Sequence, residues 1–180
     1  MKTIYNAVPS SLFIKMKSLV ESENFPWYYY GNTATSSSTD GFSFAHLAYH
    51  KIGNSPYADV LECCFLSAID KAEIKFKKLN RIRVGLITKS EKLIIHQPHV
   101  DQDYPHKVGL LYLNDCDGDT VLFNEFYDPD MKDVELTEHS RITPKKNRLV
   151  VFDSNTFHSA PAHTSKLRLV ININVVKDDS

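Results

Sequence analysis

Hydrophobic positions recur at helical spacing in two segments of the first 80 residues. The first segment, 9–23, begins with a proline and two serines, which favour a helix start. Its apolar face is formed by Leu12, Phe13, Met16, Leu19 and Val20. The second segment follows Asn54-Ser55-Pro56 and keeps helical spacing up to Leu79. We therefore predict two amphipathic helices.

Alternating and short apolar runs predict strands in the rest of the chain. The aromatic run 25–30 and the alternating segment 41–50 favour two paired strands, and the Ser- and Thr-rich stretch 32–40 between them favours a lid or a disordered loop. Seven further runs follow, bounded by turn residues: 81–87, 92–96, 107–113, 119–123, 134–142, 148–152 and 167–176. Helices followed by strands, without βαβ alternation, predict an α+β fold whose mainly antiparallel sheet closes as a sandwich or jelly roll.

Length and composition are those of one folded domain spanning 1–180. We expect a helical and aromatic part at 1–80 and a β core at 81–176. The chain is 42% hydrophobic, and 21 Lys and Arg residues balance 22 Asp and Glu residues, which argues against a broad nucleic-acid or membrane surface. The N-terminus has no apolar signal segment, and the three cysteines form no CxxC pair, so we expect a cytoplasmic protein.

One histidine triplet is a candidate metal motif. Among the eight histidines, only His99 begins a His-x-Asp or His-x-Glu triplet, with Asp101 as its partner. Residues i and i+2 of an extended segment project to the same side, so the imidazole and the carboxylate can converge on one metal. His158, which follows the β-run 148–152, is the best third candidate. Two histidines and a carboxylate form the facial set of non-haem Fe(II) oxygenases, although zinc hydrolases can use similar atoms.

Arg168 favours the oxygenase interpretation. It begins the run 168–175, and counting by two places Arg168, Val170, Asn172 and Asn174 on one face of a strand. A buried arginine needs an anionic partner. Its planar fork suits bidentate pairing with a carboxylate, such as the distal end of a dicarboxylate cosubstrate.

This set of residues and its flanking phrases resemble a known family. The order His99-x-Asp101, His158, Arg168 is similar to that of the 2-oxoglutarate- and Fe(II)-dependent oxygenases, and the flanking text resembles their prolyl 4-hydroxylase-like branch. The matching phrases lie within 81–176: PHVD at 98–101, KVGLLYLN at 107–114, DGDT at 117–120, RLVVFD at 148–153 and RLVININ at 168–174. The resemblance implies a double-stranded β-helix (jelly roll) with the N-terminal helices packed on the sheet.

The resemblance also implies the chemistry and the roles of four residues. His99, Asp101 and His158 would bind Fe(II), and Arg168 would hold the distal carboxylate of 2-oxoglutarate. The implied reaction consumes O2 and converts 2-oxoglutarate to succinate and CO2 while a substrate C–H bond is hydroxylated. Ascorbate is a supporting reductant in this scheme.

A departure from the branch concerns the residues beside Arg168. Prolyl hydroxylases often place a tyrosine hydroxyl next to the distal carboxylate, in a Tyr-Tyr-Leu-Asn phrase. Here the phrase is LYLN at 111–114, so Leu111 stands in the place of that tyrosine and Tyr112 is expected to face the other side. Tyr112 and Asn174 are therefore secondary candidates for cosubstrate binding.

The sequence leaves open both the substrate and the functional class of the protein. The branch implies a prolyl residue of a peptide or protein as substrate, and a free amino acid or another small molecule is the alternative; neither nucleic acid nor membrane is expected as a partner. Rival interpretations are a cupin-like zinc hydrolase or isomerase and a non-catalytic jelly-roll binding module. His46 alternates with Phe42 and Phe44 and is equally consistent with the core and with a substrate wall.

Overall fold

The computed structural model of the protein describes residues 1–31, 41–91, 96–102, 104–131, 134–160 and 165–177. Within these ranges the helices are α1 (Ser10–Val20) and α2 (Ala58–Ala72). The strands are β1 (Lys2–Tyr5), β2 (Tyr28–Tyr30), β3 (Ser43–His50), β4 (Gly53–Asn54), β5 (Phe76–Ile87), β6 (Lys107–Tyr112), β7 (Thr120–Phe126), β8 (Glu138–Ile142), β9 (Arg148–Asp153), β10 (Thr156–Ser159) and β11 (Arg168–Lys177). Neither helix has the length and apolar character needed to cross a membrane.

The strands form two antiparallel sheets. The larger, eight-stranded sheet has the order β1-β9-β6-β11-β5-β3-β2, with β4 paired to β3, and the three-stranded sheet has the order β10-β7-β8. β11 lies inside the large sheet between β6 and β5. β6 and β7 follow each other in the chain but belong to different sheets, so the segment between them crosses from one layer to the other. This mostly β architecture with two helices is consistent with the predicted class.

Two hydrophobic cores lie on the two faces of the large sheet. One face packs against α1 and α2, as predicted for the N-terminal helices. The other face packs against the small sheet. Alternate residues of β6 show the division, because Leu111 belongs to the helix-side core whereas Leu110 and Tyr112 belong to the core between the sheets. Polar residues on this second face are therefore enclosed between two layers.

The prediction that the second helix reaches Leu79 is wrong. α2 ends at Ala72, and Glu73 adopts a left-handed conformation with φ 53°. The chain then enters β5 at Phe76, and Leu79 lies opposite Val175 of β11. Pairing with β11 overrides the local helical spacing, which is only a weak preference in the absence of tertiary contacts.

Other strand boundaries also differ from the sequence pattern. β1 and β10 were not predicted, because four residues are too few to show a period; β1 pairs with β9, and β10 pairs with β7. The run 25–30 is a strand only in β2, which pairs with β3 as expected, and the run 134–142 is a strand only in β8. The predicted loop 32–40 and most of the predicted strand 92–96 lie outside the described residues.

Asn147 joins the N-terminal segment to the large sheet. It adopts a left-handed conformation with φ 60°, and its buried side chain makes two hydrogen bonds with the backbone of Val8. The Val8 N–H donates to Asn147 Oδ1 at 2.9 Å, and Asn147 Nδ2 donates to the Val8 carbonyl oxygen at 2.8 Å. The Ala7 N–H also donates to the Asn147 carbonyl oxygen. Asparagine tolerates the left-handed conformation better than most residues do.

We expect Asn147→Ala to lower the free energy of unfolding by about 2–4 kcal/mol, because it leaves two buried backbone groups of Val8 without partners and adds backbone strain. Urea denaturation followed by circular dichroism measures the change. Asn147→Gly, which relieves the strain but still lacks the side-chain bonds, should recover only part of the loss. A midpoint for the alanine variant equal to that of the wild type would contradict this role.

Candidate metal centre

His99 and His158 are brought together by a short backbone bridge between the 96–102 segment and β10. The N–H of His99 donates to the carbonyl oxygen of His158 at 3.0 Å, and the N–H of His158 donates back at 2.9 Å. The two ring centroids lie 4.5 Å apart. A pair of residues that exchange both hydrogen bonds across antiparallel strands projects its side chains in the same direction, and here both imidazoles face the space between the sheets.

Backbone carbonyl groups orient both imidazoles. Nδ1 of His99 lies 3.2 Å from the carbonyl oxygen of Gln97, and Nδ1 of His158 lies 3.2 Å from that of Thr156. A proton on each Nδ1 leaves each Nε2 with a free lone pair, the arrangement that metal-binding histidines use. Burial, reinforced by the neighbouring His99, lowers the pKa of His158 to about 4. Its ring is therefore neutral at physiological pH.

The Asp101 carboxylate completes a group of three potential metal ligands. One ligand atom from each of His99, Asp101 and His158 lies within 4.8 Å of the others. Asp101 Oδ1 is 3.9 Å from Nε2 of His158, and both side chains are less than a tenth exposed. Two imidazole nitrogens and one carboxylate oxygen are the donor set that suits non-haem Fe(II), and they leave other coordination positions open. The structure thus brings the three sequence candidates together in a form that fits a metal ion.

Three side chains of the large sheet hold the carboxylate of Asp101. Oδ2 accepts hydrogen bonds from Nδ2 of Asn172 at 2.9 Å and Nδ2 of Asn174 at 3.0 Å. Oδ1 lies 3.1 Å from Nη2 of Arg81. The two asparagines project from the same face of β11, and Arg81 lies directly opposite Asn174 on β5. Oδ2 is therefore occupied by amides, and Oδ1 is the oxygen that faces His158.

Asp101 is ionised in this setting. Burial by itself would raise the pKa of the carboxyl group, but Arg81, His158 and the two amide hydrogen bonds together bring it well below its usual range. The carboxylate form is the form that ligates a metal.

Arg168 is buried on the same face of β11, four and six residues before the two asparagines. It is only 3% exposed. Its Nη2 donates to Oγ1 of Thr120 at 2.8 Å, and its guanidinium carbon lies 5.5 Å from the centroid of the Tyr112 ring. Its Nε is buried and has no hydrogen-bond partner among the described residues. A buried guanidinium with unused donor capacity is suited to an anion.

The expected orientations of Leu111 and Tyr112 are reversed in the structure. Leu111 faces the helices, whereas Tyr112 faces the core between the sheets, with its hydroxyl 2.6 Å from Oγ1 of Thr120. Tyr112 is fully buried, and burial raises its pKa, so its hydroxyl stays protonated. The expectation failed because the phrase was aligned one residue out of register, and a shift of one residue in a strand exchanges the two faces.

One pocket connects the three candidate ligands with Arg168. Cross-strand neighbours build its floor: Arg168 lies opposite Ile87, Val170 opposite Gly85, and Asn172 opposite Arg83. The described residues that line it are Ser43, Phe44, Arg83, Gly85, Leu86, Ile87, His99, Asp101, Leu110, Thr120, His158, Ala160, Arg168, Val170 and Asn172.

Two further sequence candidates, Asn174 and His46, do not lie beside Arg168. The Asn174 side chain contacts Asp101 and is separated from Arg168 by six residues of β11, so the structure does not place it with the guanidinium. His46 is 3% exposed, and its ring nitrogens lie within hydrogen-bond distance of the Pro26 carbonyl oxygen and the Ser55 hydroxyl. It packs against Phe25 in the helix-side core, so the core interpretation is the correct one.

Sequence reasoning missed Arg81, Arg83 and Thr120. Arg81 and Arg83 are spaced by two in a run predicted as a strand, which indicates that they share a face. That spacing was a usable signal, but only the pairing of β5 with β11 shows which face. Thr120 was part of a matching phrase, and nothing local indicated that its hydroxyl would meet both Arg168 and Tyr112.

We expect Asn172→Ala and Asn174→Ala each to weaken metal binding by about tenfold or more, because they remove the amides that orient Asp101. Titration with Mn2+, followed by electron paramagnetic resonance of the free ion, measures the affinity without turnover. Asn124→Ala is the matched control, since Asn124 is exposed and its side chain bonds Thr137 and His139, away from the candidate ligands. Wild-type affinity in both test variants would contradict this role of the amides.

Comparisons with known proteins agree with this arrangement at the level of the fold. No protein-family model matches the sequence, and no curated protein matches it. Among solved structures, the chain is similar to a prolyl hydroxylase from Trichoplax adhaerens, which was solved in complex with a hypoxia inducible factor oxygen degradation domain peptide fragment. The TM-score is 0.63 and the sequence identity is 18%, and the match covers 98% of this chain and 83% of that one.

Two bacterial structures are similar over the same extent. A prolyl-4-hydroxylase from Pseudomonas putida has a TM-score of 0.60 and 14% identity, over 98% of this chain and 92% of that one. A 2OG-Fe(II) oxygenase family oxidoreductase from Burkholderia pseudomallei has a TM-score of 0.67 and 13% identity, over 98% and 85%. The resemblance noted in the sequence is thereby confirmed: the chain has the fold of the 2-oxoglutarate- and Fe(II)-dependent oxygenases, including prolyl hydroxylases.

Proposed function

We propose that the protein is an Fe(II)- and 2-oxoglutarate-dependent dioxygenase that hydroxylates a substrate C–H bond. The observation that carries the proposal is that the three-residue group around Asp101 and the buried guanidinium of Arg168 open into one pocket. A metal site alone is compatible with many activities. A metal site joined to a second, buried anion site suits a cosubstrate that has a chelating end and a distal carboxylate.

His99, Asp101 and His158 are the proposed ligands of the iron. Three protein ligands would leave other coordination positions of the metal for the 2-oxo acid and O2. A bound Fe(II) supplies the oxidative chemistry, in which 2-oxoglutarate is converted to succinate and CO2 while an oxygen atom from O2 is inserted into the C–H bond. The protein keeps the His158 imidazole neutral and the Asp101 carboxylate ionised, and it orients all three side chains by hydrogen bonds made outside the metal position.

Arg168, Thr120 and Tyr112 are the proposed holders of the distal carboxylate. Arg168 supplies the charge, and its contact with Thr120 fixes the plane of the guanidinium. Tyr112 supplies a neutral hydroxyl donor, since burial keeps it protonated. Leu110 and Val170 line the pocket between the two sites and limit water there, which strengthens the ionic contact at Arg168.

The shared fold and the sequence phrases support a finer assignment within this proposal. The two-sheet topology is consistent with the double-stranded β-helix that we propose for this chain. A prolyl residue in a peptide or protein is the proposed target, because prolyl hydroxylases are among the similar structures and one of them was solved with a peptide fragment. Ascorbate is proposed as a supporting reductant. A small-molecule target is the alternative that the substrate assay separates.

We expect purified protein, loaded with Fe(II) under nitrogen and then given 2-oxoglutarate, ascorbate and air, to form succinate. His99→Ala should abolish succinate formation, because it removes a proposed ligand. Arg168→Gln should raise the KM for 2-oxoglutarate on the order of 100-fold, because it leaves the distal carboxylate without its charged partner. NMR of 13C-labelled 2-oxoglutarate measures both effects.

Arg141→Gln is the matched control for Arg168→Gln. Arg141 is an arginine of β8 paired with Glu138 at the surface, and its loss should leave the KM unchanged. Failure of the metal-loaded wild type to bind 2-oxoglutarate would reject the proposal. Tight zinc binding without O2 uptake would instead support a zinc hydrolase or isomerase, and cosubstrate binding without succinate under any substrate condition would support a binding module.

A further inference from the structure

Arg83 is a second arginine in the pocket that the proposed chemistry does not use. It projects from β5 opposite Asn172, on the pocket face of the large sheet. Arg81 is paired with Asp101, and Arg168 faces the proposed site of the distal carboxylate. Among the described residues, Arg83 makes no ion pair of its own, although the charge of Asp101, which is paired with Arg81, also reaches its guanidinium. Arg83 therefore shares its only described anion with Arg81 and with the proposed metal site.

The guanidinium of Arg83 is directed along the pocket face by its neighbours. Its carbon lies 5.4 Å from the centroid of the Tyr30 ring, a cation–π contact. Its Nη1 lies beside Gly85, 3.6 Å from where a β-carbon of that residue would be, which is an ordinary van der Waals distance. The charged group therefore lies between Gly85 and the Tyr30 ring, on the pocket face of the sheet.

Removing the Arg83 guanidinium from water costs free energy. Desolvation, followed by the like charge of Arg81, lowers the pKa of the Arg83 guanidinium, and Tyr30 and Asp101 offset only part of this. An arginine nevertheless stays protonated at physiological pH. With the metal, both carboxylates of 2-oxoglutarate and Asp101 in place, the three arginines leave the site with excess positive charge. An anionic group on the substrate would offset that excess.

The surface next to Arg83 extends beyond the pocket. Tyr28 and Tyr30 alternate on β2, the edge strand of the large sheet, and they are 58% and 39% exposed. Tyr28 lies opposite Ala45 of β3, which in turn lies opposite Gly85 of the pocket, and Tyr30 lies opposite Ser43, another residue that lines the pocket. Tyr30 contacts the Arg83 guanidinium, and Tyr28, whose ring stacks on His46, is its neighbour on the same edge strand. The exposed parts of these two rings can contact several residues of a chain, whereas a small metabolite in the pocket would not reach them.

We propose that Arg83 determines substrate specificity by pairing with a carboxylate side chain of an acidic peptide segment, whose flanking residues pack on Tyr28 and Tyr30. This inference rests on the proposed function and adds the chemical class of its substrate. Charge complementarity favours an acidic partner over a neutral or basic one, because a basic segment would meet three arginines in the pocket region.

The test measures peptide binding to the wild-type protein loaded with Mn2+ and 2-oxoglutarate under nitrogen. The probes are three pools of fluorescent, amidated peptides of twelve residues. Every third residue is glutamate in the first pool, glutamine in the second and lysine in the third, and the other positions carry the same random mixture of residues in all three pools. We expect the glutamate pool to bind about tenfold more tightly than the glutamine pool, a difference typical of a partly desolvated ion pair. The lysine pool should bind most weakly.

Variants at position 83 separate charge from packing. Arg83→Gln should bring the glutamate and glutamine pools within about twofold of each other, and Arg83→Glu should reverse the order in favour of the lysine pool. Arg141→Gln, which removes one positive charge from the exposed face of β8, should keep the wild-type preference. A reversal cannot arise from a general loss of folding, so it distinguishes recognition from destabilisation.

Several outcomes would overturn the inference. Equal binding of the three pools by the wild type would do so, as would an acidic preference that survives Arg83→Gln. Binding of N-acetylglutamate without binding of any peptide pool would show that the partner is a small acid. Binding of 2-oxoglutarate, measured in the same samples, separates this inference from the proposed function. If the protein does not bind 2-oxoglutarate but still prefers the acidic peptides, only the oxygenase assignment is rejected.

Discussion

The buried carboxylate of Asp101 is the constraint on which the site depends. A carboxylate that is 7% exposed is stable only if its charge and lone pairs have partners, and here one arginine and two amides supply them. All three partners belong to adjacent strands of the large sheet, β5 and β11. The 96–102 segment that carries His99 is thereby tied to the sheet, and the backbone bridge to His158 ties it to β10 as well. The Asp101 carboxylate and the His99 backbone bridge thus connect this segment to both layers.

β11 divides the pocket into two chemically different ends. Its inward-facing residues run from the cation Arg168 through Val170 to Asn172 and Asn174, which bind an anion through amide N–H groups. One end can receive a carboxylate, and the other end fixes a carboxylate that can ligate a metal. Because the side-chain period of a strand is two, a strand of this length can supply both functions without any loop. The separation of the two sites is then set by covalent geometry.

Individual residues show how far local patterns could be trusted. The grouping of Arg168 with Asn172 and Asn174 on one face followed from the period of a strand, and the structure confirms it. The orientations of Leu111 and Tyr112 were exchanged, because the register of a short phrase had no local evidence to define it. The end of α2 was misplaced because Phe76 and Leu79 fit both a helix and a strand, and only pairing with β11 decides between them.

The sequence by itself determined the residue types, the two helices, most of the strands and the spacing of the candidate ligands, since these depend on periods and motifs within a short stretch of chain. The tertiary structure alone decided which distant groups meet. Arg81 reaches Asp101, and Thr120 joins Arg168 to Tyr112, only because strands far apart in the chain pair or face each other across the two sheets. Such contacts reflect the free energy of burying apolar surface between layers, and no local pattern encodes which strands become neighbours.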